Sequence, residues 1–154
     1  MSLHGRLEAD AEIKSPATKF HQVFTHRPHH ISNINFDKVQ ACDLHEGDWG
    51  KEGTVICWSY VHDGKAKTSK QILDRIDYEN NLMTFHLIGG DLMEEYKSFR
   101  ITFQAIPKEN GEGSRVHWIF EYEKLHDEIV HPETLLDFLV ALSKDIDAHL
   151  VEQP

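Results

Sequence analysis

Long apolar runs, paired sulfur ligands and basic stretches are all missing from this chain of 154 residues. No apolar segment approaches ~18 residues and no apolar h-region follows Met1, so neither a membrane-spanning helix nor a signal peptide is expected, and a cytoplasmic location follows. Only two cysteines occur, Cys42 and Cys57, in segments that read as strands and without a second sulfur at metal-ligand spacing. Free thiols in a reducing compartment are the expectation. Lys and Arg number 16 against 26 Asp and Glu, a net charge of −10, and no basic stripe offers itself to phosphate. Nucleic acid and anionic membrane are therefore poor partners.

Motifs for chemistry are equally sparse. Gly47, Gly50 and Gly53 are followed by no Lys-Ser/Thr pair and lead into a strand, so they read as a tight turn, and Asp48 and Glu52 would repel phosphate. Twelve histidines include the neighbours His29 and His30, which point in different directions on a helix, and no carboxylate or thiol completes a ligand set. Neither a metal nor a cofactor is expected. No nucleophile-elbow glycine pattern surrounds any serine.

What is present is alternation. Phe99, Ile101 and Phe103, then Val116, Trp118, Phe120 and Tyr122, recur at period two on either side of a turn at Asn110-Gly111-Glu112-Gly113, and so share one aromatic face of an antiparallel pair. Leu3 to Ile13 alternates in the same way as a first strand with one wet face. Ser15-Pro16 reads as an N-cap followed by an N1 proline for a short helix carrying Phe20, Val23 and Phe24, and Arg27-Pro28 starts a second one towards Ser32-Asn33. Strands follow over about 36 to 44, 54 to 61, 67 to 77 and 82 to 88, with turns at Asp63-Gly64-Lys65 and Glu79-Asn80-Asn81 and a loop at Gly89-Gly90-Asp91. Such short links dictate an antiparallel meander, and the chain length suits one domain over residues 1 to 154.

The last element is the one long amphipathic helix. After Pro132-Glu133, Leu135, Leu139, Leu142, Ile146 and Leu150 recur every three or four residues with Phe138 beside them. About 19 helical residues span ~28 Å, comparable to the width of a six- or seven-stranded sheet. This helix can cover the aromatic face.

The segments Glu46-Gly47-Asp48-Trp49-Gly50-Lys51-Glu52-Gly53, Asp63-Gly64-Lys65, Gly90-Asp91-Leu92-Met93-Glu94-Glu95-Tyr96-Lys97-Ser98-Phe99, Glu121-Tyr122-Glu123-Lys124-Leu125 and Lys144-Asp145-Ile146-Asp147 occur in an order and spacing that resembles the plant major latex protein family. That family is a branch of the Bet v 1 / pathogenesis-related class 10 superfamily. The resemblance implies an α+β helix-grip fold: a curved seven-stranded antiparallel sheet wrapped round a long C-terminal helix, with two short helices after the first strand. It also implies a cytosolic plant protein that binds apolar metabolites or hormone-like molecules, in defence or stress responses. Two departures matter. Gly89 stands where the family commonly has Glu, and the glycine turn at 47 to 53 is less dense than that of relatives for which ribonuclease activity has been proposed, so ribonuclease is not expected here.

By this resemblance Ile56, Trp58 and Tyr60, and Met83, Phe85 and Leu87, face inward and join Phe99, Ile101, Phe103, Trp118, Phe120 and Tyr122 from the aromatic pair and Phe24, Leu135, Phe138, Leu139 and Leu142 from the helices as ligand-binding candidates. Periodicity alone would pack these side chains against one another; the helix-grip architecture leaves a gap between sheet and helix. Tyr60, Tyr122 and Lys70 are the expected polar contacts. The strand holding Lys70 and Asp74 reads ambiguously. If Ile72 and Ile76 point inward, Lys70 and Asp74 share their side; a position at the solvated rim is the preferred alternative. The leading function is reversible binding and carriage of a small hydrophobic plant metabolite such as a terpenoid, sterol or fatty acid. The alternative is a cofactor-free cyclase or isomerase that uses the same cavity, with Lys70, Asp74, Tyr60 and Tyr122 as weak catalytic candidates, and a third reading is a ligand-dependent partner of another protein.

Overall fold

The computed structural model describes residues 3–152. In chain order the elements are β1 (His4–Ile13), α1 (Ala17–His26), a 3-10 turn (Pro28–Asn33), β2 (Val39–Glu46), β3 (Val55–His62), β4 (Lys65–Asp77), β5 (Leu82–Gly90), a second 3-10 turn (Asp91–Glu94), β6 (Tyr96–Pro107), β7 (Ser114–Lys124) and α2 (Glu133–Glu152). The strands form one seven-stranded antiparallel sheet in the order β1-β7-β6-β5-β4-β3-β2. β2 to β7 are a meander, and β1 returns beside β7, so α1 and the first 3-10 turn link the two edges of the sheet. α2 has 20 residues, ~30 Å of helix, enough to cross seven strands at ~4.8 Å spacing. Among the described residues no helix is long and apolar enough to cross a membrane.

Local chemistry explains the turns. Asp63 and Gly64 both adopt positive φ, 53° and 74°, as a two-residue hairpin turn requires, and this pins β3 against β4 with His62 opposite Lys65. β2 begins at Val39 and not near 36: Asn35 Oδ1 accepts from the Asp37 amide at 3.1 Å, and the Asn35 carbonyl accepts from Lys38 and Val39, so a side-chain-stabilised turn occupies residues 36 to 38 and leaves Phe36 exposed. At α1 the cap is also displaced. Pro16 takes the N-cap position without a side-chain bond, while the Ser15 hydroxyl donates to Asp147 Oδ1 at 2.6 Å.

β4 corrects the ambiguous reading. Ser69, Gln71, Leu73 and Ile76 are buried, while Ile72 is half-buried and Asp74 exposed. A register shift between Leu73 and Arg75 places an extra residue in the strand, so Ile76 returns to the inner face out of phase with Ile72. Lys70, Ile72 and Asp74 alternate with the buried Ser69, Gln71 and Leu73 and so point away from the interior. The Gly89-Gly90 segment is likewise no loose loop: it is paired with Lys70 and Ser69 as the end of β5, and Asp91 Oδ2 accepts from the Thr68 amide at 2.7 Å.

The core centres on Phe24, whose ring meets Phe20, Trp58, Phe85, Phe103 and Trp118 at centroid distances of 5.1 to 6.4 Å. α2 is fastened unevenly over this core. In its C-terminal half the Asp147 carboxylate accepts from the Lys14 and Ser15 amides, Asp145 takes Asn35 Nδ2 at 2.9 Å and Lys38 Nζ at 2.8 Å, and Ser143 Oγ accepts from Trp118 Nε1 at 2.9 Å. Its N-terminal end is tied by Thr134 to His62 and Asp63, at the surface.

Candidate functional site

Between the inner face of the sheet and the less firmly held half of α2 lies a cavity of about 70 Å³. Its lining comes from every layer: Phe24 of α1; Val39, Trp58, Tyr60, Ser69, Gln71, Phe85, Ile101 and Trp118 of the strands; Leu92 of the second 3-10 turn; and Leu135, Phe138, Leu139 and Leu142 of α2. One water needs ~10–15 Å³ by this kind of measure, so the space holds about five waters or a small organic group. A larger guest requires ring movement. Phe138 and Leu139 on α2, with Leu92 of the second 3-10 turn, are half-buried where most of the lining is buried.

Ten of the expected residues line this cavity: Phe24, Trp58, Tyr60, Phe85, Ile101, Trp118, Leu135, Phe138, Leu139 and Leu142. Ile56, Met83, Leu87, Phe99, Phe103, Phe120 and Tyr122 do not; the structure places them in the packed core. The reason is mutual packing. Phe103 is closed in by Phe20, Phe24 and Trp118, and Phe99 is sandwiched between Phe120 at 5.2 Å and Tyr122 at 5.6 Å. Tyr122 spends its hydroxyl on His131 Nδ1, and burial pushes its phenol pKa up. Its ring lies over Gly5, where an added Cβ would come within 2.4 Å.

Of the charged candidates, neither Lys70 nor Asp74 lines the cavity. Lys70 lies opposite Cys57 and Gly89 on the outer side, and Asp74 pairs with Arg100 at 3.6 Å in a half-exposed contact. Both point outward by plain alternation with Ser69, Gln71 and Leu73; the bulge after Leu73 returns only Ile76 to the inner face, and an inward Ile76 hides Ser69 and Gln71 from a period-two reading. A countable signal was available: stepping back from the Asp63-Gly64 turn puts Trp58 opposite Ser69 and Ile56 opposite Gln71. No sequence signal marked Val39 or Leu92.

Ser69, Gln71 and Trp58 form a directed chain. Trp58 Nε1 donates to Gln71 Oε1 at 3.0 Å, and Gln71 Nε2 donates to Ser69 Oγ at 3.0 Å, all three residues being buried. Tyr60, one pair further along, is 6% exposed and its hydroxyl has no hydrogen-bond partner among the described residues. Burial, with a contribution from the Asp91 charge, pushes its phenol pKa up to about 12. Beyond Tyr60, His62 closes the rim: Lys67 Nζ can only donate, so His62 Nδ1 accepts from it at 3.2 Å and Nε2–H donates to Thr134 Oγ1 at 2.9 Å. Burial lowers the His62 pKa and favours this neutral form.

The remaining candidates are structural. The 47 to 53 loop is folded on itself, with Asp48 and Thr54 exchanging two hydrogen bonds and Trp49 stacked on His29 at 4.4 Å. Cys42 and Cys57 are free, and burial raises the Cys42 pKa far above the ordinary thiol range. Among the described residues no three His, Cys, Asp or Glu side chains are grouped to hold a metal ion.

Comparison with known proteins agrees with this geometry. Residues 2–153 match the pathogenesis-related protein Bet v 1 family. MLP-like protein 31 of Arabidopsis thaliana is 55% identical over 99% of this chain and 89% of its own length. The crystal structure of ginseng major latex-like protein 151 from Panax ginseng superposes with a TM-score of 0.91 at 40% identity, covering 99% of each chain. A norcoclaurine synthase from Thalictrum flavum, in complex with dopamine and hydroxybenzaldehyde, has a TM-score of 0.74 over 99% of this chain and 90% of its own at 13% identity, a likeness of fold alone. From sequence, register and architecture together, the chain belongs to the Bet v 1 family and, within it, to the major latex proteins.

Proposed function

We propose that this protein reversibly binds and carries a small, largely apolar plant metabolite in the cavity between its sheet and α2. The observation that carries the reading is the wall itself: apolar and aromatic side chains interrupted only by the Trp58-Gln71-Ser69 chain and the Tyr60 hydroxyl. Burying ligand surface there contributes about 25 cal/mol per Å², while the few polar groups orient it. The family's pathogenesis-related name supports defence or stress as the setting. Carriage is favoured over catalysis because, of the four catalytic candidates, Tyr60 alone lines the cavity, and a phenol pKa pushed up to about 12 suits it poorly to proton transfer near neutral pH.

The test is to incubate the purified protein with plant terpenoids, sterols, alkaloid precursors and fatty acids and analyse both bound fraction and supernatant by mass spectrometry. Unchanged ligand retained at up to one per chain is the expected result. A product accumulating beyond one turnover would make the protein an enzyme and refute carriage.

A further inference from the structure

We infer that the cavity selects uncharged ligands carrying a hydrogen-bond acceptor, such as a ketone, lactone or hydroxyl oxygen, and that Tyr60, Ser69 and Gln71 are the residues that recognise it. The inference rests on the binding reading and narrows it to a chemical class.

Its basis is the direction of the hydrogen bonds. In the chain from Trp58 through Gln71 to Ser69 every donor points the same way, which leaves the Ser69 O–H as the terminal donor without an acceptor. Gln71 Nε2 carries a second N–H that makes no further hydrogen bond among the described residues, and the Tyr60 O–H is also unmatched. Three unspent donors therefore belong to side chains on neighbouring inward positions of β3 and β4, all buried and all lining the cavity. A hydrocarbon that fills this space takes water away from these donors and returns nothing, whereas a ligand with an acceptor oxygen replaces the hydrogen bond that is lost.

Charge rules out the obvious anionic acceptors. No Lys, Arg or His is part of the cavity lining, and Lys67, opposite Tyr60 at the rim, directs its Nζ to His62, so a carboxylate among these donors would lie in an apolar wall without a counter-ion in that wall. Burial first, and the Asp91 charge second, push the Tyr60 phenol pKa up, in keeping with a position where negative charge is poorly solvated. Ammonium ligands fare no better, because they would lose their hydration in an apolar wall that offers no carboxylate. A neutral oxygen satisfies the donors without bringing a charge that must be desolvated.

Two matched series test this by equilibrium dialysis at pH 7.5: naphthalene, 2-acetylnaphthalene, 2-naphthol, 2-naphthoate and 2-naphthylmethylammonium, and the phenyl counterparts for a smaller fit. The ketone and the hydroxyl compound should bind about tenfold more tightly than the parent hydrocarbon, the increment of one well-placed hydrogen bond, and the carboxylate and ammonium more weakly than the hydrocarbon. Tyr60→Phe and Ser69→Ala should bring the ketone-to-hydrocarbon affinity ratio towards one, and because both ligands are measured on the same variant the ratio separates lost recognition from lost folding. Equal binding of ketone and hydrocarbon, or carboxylate binding as tight as ketone, overturns the neutral-acceptor inference and leaves the binding function intact. Retention of no member of either series overturns the binding reading and this inference with it.

Discussion

Asp147 is the point at which a single side chain decides how α2 is held. Its carboxylate, 9% exposed, accepts from the Lys14 amide at 3.1 and 2.9 Å, from the Ser15 amide at 2.9 Å and from the Ser15 hydroxyl at 2.6 Å. Asp147→Ala removes all of these acceptors. The hydroxyl can turn towards water, but the Ser15 amide lies in a buried contact and the Lys14 amide in a partly buried one. A stranded donor costs ~1–3 kcal/mol, and together these donors amount to about 3–4 kcal/mol. For a domain of this size that corresponds to a fall in Tm of about 10 °C. Asp147→Asn keeps one oxygen for Ser15 and should lose about half as much. Thermal unfolding followed by far-UV circular dichroism checks both. A loss below ~1 kcal/mol for Asp147→Ala would refute the claim that this end of α2 is the clamped end.

Three further outcomes follow from the geometry. Phe138→Ala should destabilise by about 1–2 kcal/mol, less than the ~3–5 of a fully buried ring because Phe138 is half-buried, and should improve retention of sterol-sized ligands in dialysis; unchanged or weaker retention would show that Phe138 does not limit the cavity. Gly90→Ala should cost more than ~2 kcal/mol in urea unfolding, because φ is +98° and the new Cβ would lie 2.2 Å from the Thr68 carbonyl oxygen; wild-type stability would mean that the end of β5 is loose after all. At His117 burial pulls the pKa down, but hydrogen bonds to Asp10 and Glu8 together with their charges outweigh it and leave the pKa raised, while the Glu8 pKa is lowered, chiefly by its bond to His117. A raised histidine stabilises below its unfolded pKa of 6.5 and loses that contribution as pH rises through the folded value; a lowered carboxylate stabilises above 4.5 and loses it as pH falls through its folded value. The β1–β7 bridge is therefore strongest between these limits, and stability measured from pH 6 to 8 should fall more steeply in the wild type than in His117→Gln. Identical slopes would sink that assignment.

The sequence carried the architecture well because the architecture is written in periods. Alternation located β1 to within one residue at each end and marked the inward residues of β6 and β7, the Asp-Gly turn set the β3–β4 register, and the spacing of leucines marked α2. What it could not carry were features that break a period. The bulge near Asp74 puts Ile76 inward out of phase with Ser69, Gln71 and Leu73 and so hid Ser69 and Gln71, and the Asn35 turn delayed β2 to Val39. Nor does a list of inward-facing residues distinguish wall from filling. Phe103 and Phe85 are both inward-facing and buried, yet only Phe85 reaches the space, because α1 brings Phe20 and Phe24 onto Phe103. That distinction depends on where α1 and α2 rest, which no local pattern records.

On this reading bound ligand lies between the sheet and the N-terminal half of α2 and meets Tyr60 and Ser69 there. Intermolecular nuclear Overhauser effects to bound 2-acetylnaphthalene test it most directly, with the methyls of Leu135, Leu139 and Leu142 and the indoles of Trp58 and Trp118 as reporters. Contacts to these groups, with the acetyl end nearest Tyr60, are the predicted result. Contacts confined to the outer groove lined by Arg6, His86 and Arg100 would contradict it.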